Sequence, residues 1–213
     1  MPWFYYFGRA LIHLVTRLFT RLRVTGIENI PQRGPVLIVS NHLSLADPPI
    51  IGISVPRQMM FMAKKELFSP GFIGYFVRSF GAFPVDRGTL DRKAFRLACE
   101  VLASGRVLMM FPEGGRSKTG KLGRGFPGSA RLALCHSVPI IPVGISGTEK
   151  IQGLDWLWHR PEIKVNIGRP FYVNVANGKL TREEQEKLTD DIMSQIALLL
   201  PNEYVGDYRR QTA

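Results

Sequence analysis

Short apolar segments alternate with stretches of helical periodicity along most of the chain, and this alternation limits the fold more than any other feature. The predicted strands cover residues 36–40, 59–63, 81–86, 107–111, 139–145 and 163–167. Such alternation is typical of an α/β domain, because each helix returns the chain to the start of the next strand. We therefore expect a mixed, largely parallel sheet flanked by helices. The 213 residues contain no linker-like segment, which favours a single domain of this kind.

Two of the intervening helices have recognisable ends. Residues 90–104 place apolar side chains along one face and are followed by Gly105, a common helix C-cap. Near the C-terminus, Thr181 and Glu184 have the spacing of a capping box, and Pro201 should lie beyond the helix that they start.

The first 22 residues have the pattern of an amphipathic helix. Its apolar face contains Phe4, Phe7, Leu11, Leu14, Val15, Leu18, Phe19 and Leu22, and its cationic face contains Arg9, His13, Arg17 and Arg21. Such a helix suits the interface of an anionic membrane, and a helix packed on its own domain has the same pattern. No apolar run reaches the roughly 18 uncharged residues of a membrane span, and no secretory signal pattern is present. We therefore expect an interfacial helix at 1–22, followed by the single domain at 23–213.

Charge and cysteine content narrow the possible partners. The formal net charge of +11 favours anionic partners such as nucleic acid, acidic lipid or phosphorylated substrates. Cys99 and Cys135 lie far apart in sequence without metal-ligand spacing, so we expect buried thiols in a reducing compartment and no metal site.

The segment 40–49, SNHLSLADPP, places His42 and Asp47 just after a predicted buried strand. On a regular helix, residues five apart point about 140° away from each other, so the pair should meet in a loop or an irregular helix start. An aspartate bonded to one imidazole nitrogen would leave the other free to accept a proton from a substrate hydroxyl. From the pair alone, a structural histidine beside a capping aspartate fits equally well.

Cations follow three other predicted strands, with Lys64 and Lys65 after one strand, Arg87 after the next and Arg116 after another. Strand ends of an α/β sheet commonly meet where the ligand binds. Arginine pairs phosphate oxygens with two parallel N–H donors, and lysine adds a point charge. This arrangement predicts a phosphate site, although each cation alone also fits an ordinary solvated surface.

The loop at 111–125, FPEGGRSKTGKLGRG, partly matches the spacing of a nucleotide-binding P-loop. Leu122 occupies the position where a P-loop needs a hydroxyl for magnesium, and Gly123, Gly125 and Pro127 interrupt the helix that should follow. The loop therefore predicts a phosphate ligand other than a nucleotide.

Four ordered blocks resemble the glycerolipid acyltransferases, specifically the 1-acylglycerol-3-phosphate acyltransferases. The blocks are NHxSxxD at 41–47, GxxxxxR at 81–87, FPEGGRS at 111–117 and VPIIPV at 138–143, and the resemblance extends from about residue 24 to 208. It implies that His42 and Asp47 form the catalytic pair. It also implies an acceptor phosphate site containing Lys64, Arg87, Glu113, Gly114 and Arg116. Gly115 departs from the usual threonine of the third block, which leaves other acceptors open.

The resemblance implies transfer of a fatty acyl group from a thioester to lysophosphatidic acid, forming phosphatidic acid. The donor would be acyl-coenzyme A or acyl carrier protein, with no cofactor, and the protein would lie on the cytoplasmic face of an anionic membrane as a peripheral or monotopic protein. The helical stretch 72–80 could line a groove for the acyl chain.

Three alternatives differ from this reading. An acyltransferase for glycerol 3-phosphate or another lysolipid would use the same residues. A thioesterase or lipid hydrolase would use His42 to activate water, but the G-x-S-x-G nucleophile motif is absent. A nucleic-acid-binding module agrees with the positive charge, but no recognised nucleic-acid motif is present, so we expect no nucleic-acid partner.

Overall fold

Seven strands form one sheet in the computed structural model, which describes residues 3–86, 91–135, 137–173 and 181–208. They are β1 (Arg21–Thr25), β2 (Val36–Ser40), β3 (Met59–Lys64), β4 (Ala82–Val85), β5 (Val107–Met110), β6 (Ile140–Ser146) and β7 (Glu162–Ile167). Their spatial order is β1-β7-β6-β2-β5-β3-β4. Each neighbouring pair in this sheet is parallel except β6 and β7. The prediction of one α/β domain with a mixed, largely parallel sheet is confirmed.

Helices connect most of these strands. They are α1 (Trp3–Phe19), α2 (Asp47–Ser54), α3 (Phe72–Ser79), α4 (Arg92–Ala103), α5 (Gly128–Leu134), α6 (Trp156–His159) and α7 (Arg182–Ala197). Short 3₁₀ turns lie at Ile27–Asn29, Lys65–Phe68, Thr148–Lys150, Asn202–Tyr204 and Gly206–Tyr208.

Two apolar layers cover the centre of the sheet. On one face, α4, α5 and α7 pack on the sheet through residues such as Val101, Leu132 and Ile192. On the other face, α2 contributes Ile50 and Ile51. Every residue of β2 and β6 is buried, because helices cover both faces of these central strands.

The six predicted strands are all present, each within one residue of its expected bounds. The Thr181 capping box is also confirmed, with Glu184 bonded back to the Thr181 backbone. The edge strand β1 was not predicted, since Arg21 and Leu22 were assigned to the N-terminal helix. That helix ends at Phe19, and β1 then pairs with β7.

The cysteine prediction was wrong. Cys99 and Cys135 form a disulfide, with their Cα atoms 5.9 Å apart. Although 36 positions separate them in sequence, α4 and α5 pack on the same face of the sheet, which brings the two helices together. The expectation of two separate thiols is therefore contradicted.

The helix α1 packs on the domain with its smaller and more polar side. Tyr5, Gly8 and Thr16 are buried, and so is Thr20, the residue after the helix. The outward side carries large apolar side chains that are each 48–74% exposed: Trp3, Tyr6, Phe7, Leu11, Leu14 and Leu18. Among the described residues, no helix is long and apolar enough to cross a membrane.

Arg9 does not lie on an open cationic face as predicted. Its guanidinium donates hydrogen bonds to the carbonyls of Gly52, Ile53 and Val55 at the end of α2. The carbonyls of Gly52 and Ile53 belong to the last turn of α2 and have no partner within that helix, so a cation at this end is favourable. Arg9 therefore anchors α1 to α2.

Candidate active site

Among the described residues, the polar residues predicted from the sequence lie at one edge of the sheet. Strands β2, β3, β4, β5 and β6 run in the same direction, so their carboxyl ends meet there. His42 follows β2, Lys64 ends β3, and Glu113 and Arg116 follow β5. The expected convergence of the strand ends therefore occurs.

His42 and Asp47 meet across an irregular turn that leads into α2. The Nδ1 atom of His42 lies 2.7 Å from Oδ2 of Asp47. The same oxygen accepts hydrogen bonds from the backbone N–H groups of Leu43 (2.6 Å) and Ser44 (2.7 Å). Asp47 is the first residue of α2, where a negative charge is favourable. One carboxylate thus closes the turn and orients the imidazole.

The other carboxylate oxygen of Asp47 accepts a hydrogen bond from the hydroxyl of Thr148, which is fully buried. Thr148 follows β6, the neighbour of β2 in the sheet. The sequence analysis missed this residue. In the sequence, the one feature that could have indicated Thr148 is its position two residues after β6, at the edge of the sheet where the site lies.

A second contact fixes the imidazole plane. The ring of His42 stacks on Phe111, with 3.9 Å between ring centroids and 12° between planes. Because Nδ1 is bonded to Asp47, Nε2 is the nitrogen that can accept a proton from a substrate. His42 is 4% exposed, which limits access of bulk water to that nitrogen.

The His42 ring borders a largely apolar cavity of about 220 Å³. Its walls come from the start of α2, from β3, from α3 and from Phe111. Phe76 and Val77 of α3 and Phe80, the residue after it, belong to this lining. All three lie within the stretch that the sequence analysis associated with an acyl groove. A larger cleft of about 740 Å³ beside α7 contains none of the catalytic or phosphate-site residues predicted from the sequence.

Glu113, predicted to bind substrate, directs its carboxylate to backbone groups. One oxygen accepts from the backbone N–H of His42 (2.8 Å) and the other from that of Gly123 (3.0 Å). Burial raises the pKa of the Glu113 carboxyl, an effect that these two N–H donors oppose. The side chain therefore joins the His42 turn to the glycine-rich loop.

The glycine-rich loop is held directly against the His42 turn. The N–H of Ser117 donates to the His42 carbonyl (2.7 Å), which places the exposed Arg116 beside the His42 turn. Gly114 has a φ of 67°, a conformation that favours glycine, and a Cβ there would lie 3.1 Å from the Phe126 ring.

Two lysines lie at the neighbouring strand ends. Lys64 pairs with Glu66 at 3.3 Å, and its side chain is 50% exposed. Lys65 pairs with Asp86, joining the ends of β3 and β4. Arg87, predicted to bind phosphate, follows Asp86 and lies outside the described residues.

Residues 21–146 match the family model described as Acyltransferase. The chain belongs to this acyltransferase family. The match confirms the family resemblance that the four sequence blocks predicted. The matched region includes His42, Asp47, Glu113 and Arg116. It ends two residues before Thr148.

Curated relatives share this family. The chain is 32% identical over 165 residues to the 1-acyl-sn-glycerol-3-phosphate acyltransferase of Streptococcus pneumoniae, covering 76% of this chain and 60% of that protein. It is 28% identical over 201 residues to the chloroplastic 1-acyl-sn-glycerol-3-phosphate acyltransferase BAT2 of Brassica napus. This match covers 87% of this chain and 57% of that protein. The chain thus spans less than two thirds of the length of these two relatives.

A solved structure shares the fold. The crystal structure of the 1-acyl-sn-glycerophosphate (LPA) acyltransferase PlsC from Thermotoga maritima superposes with a TM-score of 0.68 and 27% sequence identity. The superposition covers 92% of this chain and 79% of that chain.

Proposed function

We propose that this protein transfers a fatty acyl group from an acyl thioester to the free hydroxyl of 1-acylglycerol 3-phosphate, forming phosphatidic acid. The observation that carries the proposal is the position of His42, between an apolar cavity and a cationic loop. The similarity to the 1-acyl-sn-glycerol-3-phosphate acyltransferase of Streptococcus pneumoniae and to PlsC of Thermotoga maritima supports it.

In the proposed mechanism, Nε2 of His42 takes the proton from the acceptor hydroxyl as its oxygen attacks the thioester carbonyl. The new C–O bond forms, the C–S bond breaks as the tetrahedral intermediate collapses, and the proton passes from His42 to the departing thiolate. Asp47 holds Nδ1 and stabilises the imidazolium that forms in between. No protein nucleophile or cofactor is required.

The apolar cavity beside His42 would bind part of the acyl chain. Each buried methylene contributes about 0.8 kcal/mol, so a chain in this cavity would hold the thioester carbonyl close to the base. Coenzyme A and acyl carrier protein both present such a thioester, and the proposal applies to either donor.

The acceptor phosphate would bind Arg116 and Lys64, which lie at the carboxyl ends of neighbouring strands. The family resemblance adds Arg87, which lies outside the described residues. Arg116 is attached to the catalytic turn through Ser117, so a phosphate bound there places the glycerol hydroxyl near His42. The proposed acceptor is tested by comparing lysophosphatidic acid, glycerol 3-phosphate and monoacylglycerol as substrates. We expect monoacylglycerol, which lacks the phosphate, to be the poorest, whereas equal rates with all three would contradict a phosphate site.

Replacing Arg116 by alanine should raise KM for lysophosphatidic acid by about tenfold or more, because a charge-assisted hydrogen bond contributes roughly 1.5–3 kcal/mol. The KM for the acyl thioester should change little. Steady-state kinetics with each substrate varied separately measures both. Arg106→Ala is the control, since Arg106 precedes β5 at the opposite edge of the sheet. An unchanged KM for the acceptor would remove Arg116 from the site.

We also propose that α1 binds the surface of an anionic membrane, with the protein peripheral or monotopic on the cytoplasmic face. The outward apolar side chains of α1 would enter the acyl boundary, and the exposed Arg17 and Arg21 would meet lipid phosphates. This position would bring the lipid acceptor to the protein within the membrane plane.

The double substitution Leu11→Glu and Leu14→Glu should reduce binding to phosphatidylglycerol vesicles by at least tenfold. The two leucines are 48% and 53% exposed, so the changes remove apolar surface and add charge without disturbing the core. Vesicle sedimentation measures the effect. Leu97→Glu on α4, 39% exposed, is the matched control and should bind like the wild type. Equal sedimentation of all three proteins would exclude α1 as the membrane contact.

A further inference from the structure

The C-terminal segment 202–208 packs on the glycine-rich loop that adjoins the His42 turn. The carbonyl of Tyr204 accepts a hydrogen bond from the N–H of Leu122 in that loop, at 2.7 Å. Gly206 lies against the same residue, since its φ is 61° and a Cβ there would lie 2.3 Å from the Leu122 carbonyl oxygen. The loop therefore fixes the backbone position of Tyr204.

The side chain of Tyr204 extends from this loop to the turn that supports Asp47. Its hydroxyl donates to Oε1 of Glu149, at 2.7 Å. Glu149 shares a 3₁₀ turn with Thr148, whose buried hydroxyl donates to Asp47. Burial raises the pKa of the Tyr204 phenol, so the group stays protonated and donates at neutral pH. Tyr204 thus connects the loop beside His42 to the turn behind Asp47.

The carboxylate of Glu149 depends on this hydrogen bond. Its Oε2 atom is buried and has no hydrogen-bond partner among the described residues. A buried carboxylate without a donor is costly, so loss of the Tyr204 hydroxyl should drive the Glu149 side chain toward water. Because Thr148 and Glu149 are adjacent in a turn of only three residues, this movement would displace the Thr148 hydroxyl from Asp47.

We infer that Tyr204 is a positioning residue for acyl transfer: its phenol, anchored on the glycine-rich loop, holds the Thr148 turn against Asp47. Asp47 in turn keeps the His42 imidazole oriented. This inference rests on the proposed acyl-transfer function. Tyr204 acts through the turn and not on the substrate. It lies beyond residues 21–146, the region that matches the family model, so the family match does not indicate this role.

Tyr204→Phe tests the inference, because it keeps the ring and the backbone and removes only the hydroxyl. We expect kcat for phosphatidic acid formation to fall by about fivefold, the rate equivalent of one ordinary hydrogen bond, with KM for both substrates nearly unchanged. Adding Thr148→Val should lower kcat only to about the tenfold loss of that variant alone, because both changes remove the same support of Asp47. The matched control is Tyr208→Phe. Its hydroxyl belongs to the same segment but donates to Asp190 of α7, at 3.2 Å, so kcat should equal that of the wild type.

Hydrogen exchange followed by NMR measures the same support without turnover. The backbone N–H groups of residues 43 and 44 donate to the Asp47 carboxylate. They should exchange about threefold faster in Tyr204→Phe than in the wild type or Tyr208→Phe, with Thr148→Val as the positive reference. A wild type that forms no phosphatidic acid would contradict the proposed function, whereas faster exchange confined to Tyr204→Phe and Thr148→Val would still support this inference. Exchange rates that Tyr204→Phe leaves unchanged, or a double variant whose kcat falls by the product of the two single effects, would overturn it.

Discussion

Replacing His42 by alanine is expected to lower the rate of acyl transfer by about 10²- to 10⁴-fold, the usual contribution of a general base. The loss should appear mainly in kcat, because the other residues of the proposed acyl and phosphate sites are unchanged. His42→Gln should be similarly inactive, since its amide can still bond to Asp47 but cannot accept the proton. Initial rates of phosphatidic acid formation measure the effect, and circular dichroism checks that both variants are folded.

The matched control is His159→Ala. His159 is exposed on α6, and its Nδ1 lies 2.8 Å from the carbonyl oxygen of Asp155. This substitution should leave the rate unchanged. If His42→Ala and His42→Gln both kept activity within a few fold of the wild type, His42 would not be the base.

Replacing Asp47 by alanine should reduce both activity and stability. The carboxylate accepts hydrogen bonds from His42 Nδ1, Leu43 N–H, Ser44 N–H and the Thr148 hydroxyl. Each buried donor left without a partner costs about 1–3 kcal/mol. The midpoint of thermal unfolding should therefore fall by roughly 10 °C, and activity should fall about as far as in His42→Ala because the imidazole loses its orientation.

Thr148→Val provides a graded comparison, because it removes one of these hydrogen bonds and keeps the volume of the side chain. We expect kcat to fall about tenfold with KM nearly unchanged, and Thr148→Ser to restore it. Differential scanning calorimetry and steady-state kinetics measure the two effects. If Asp47→Ala remained as stable and as active as the wild type, the carboxylate would have no role in holding the turn.

The central strands were predictable from sequence because helices bury them on both faces, which requires continuous apolar segments. The edge strand β1 has no such segment. Its residues RLRVT alternate between exposed and partly buried positions, and two of the five are arginines. On sequence alone, Arg21 and Leu22 therefore continued the amphipathic pattern of the helix before them.

The site was predictable to the extent that its contacts are local. His42 and Asp47 are five residues apart, and a single turn unites them. Thr148 lies 101 residues from Asp47, and its contact depends on the pairing of β2 with β6, which no local pattern specifies. For the same reason, the hydrogen bonds that connect Glu113 to the backbone of His42 and Gly123 could not be read from the motif.

The most direct test of the proposed reaction measures free thiol released from palmitoyl-coenzyme A and from palmitoyl-acyl carrier protein, with and without lysophosphatidic acid, while the lipid products are separated. Acyl transfer predicts that thiol release requires the acceptor, that one phosphatidic acid forms for each thiol, and that His42→Ala loses both. Thiol release at the same rate without acceptor, with free palmitate as the product, would contradict acyl transfer and identify a thioesterase.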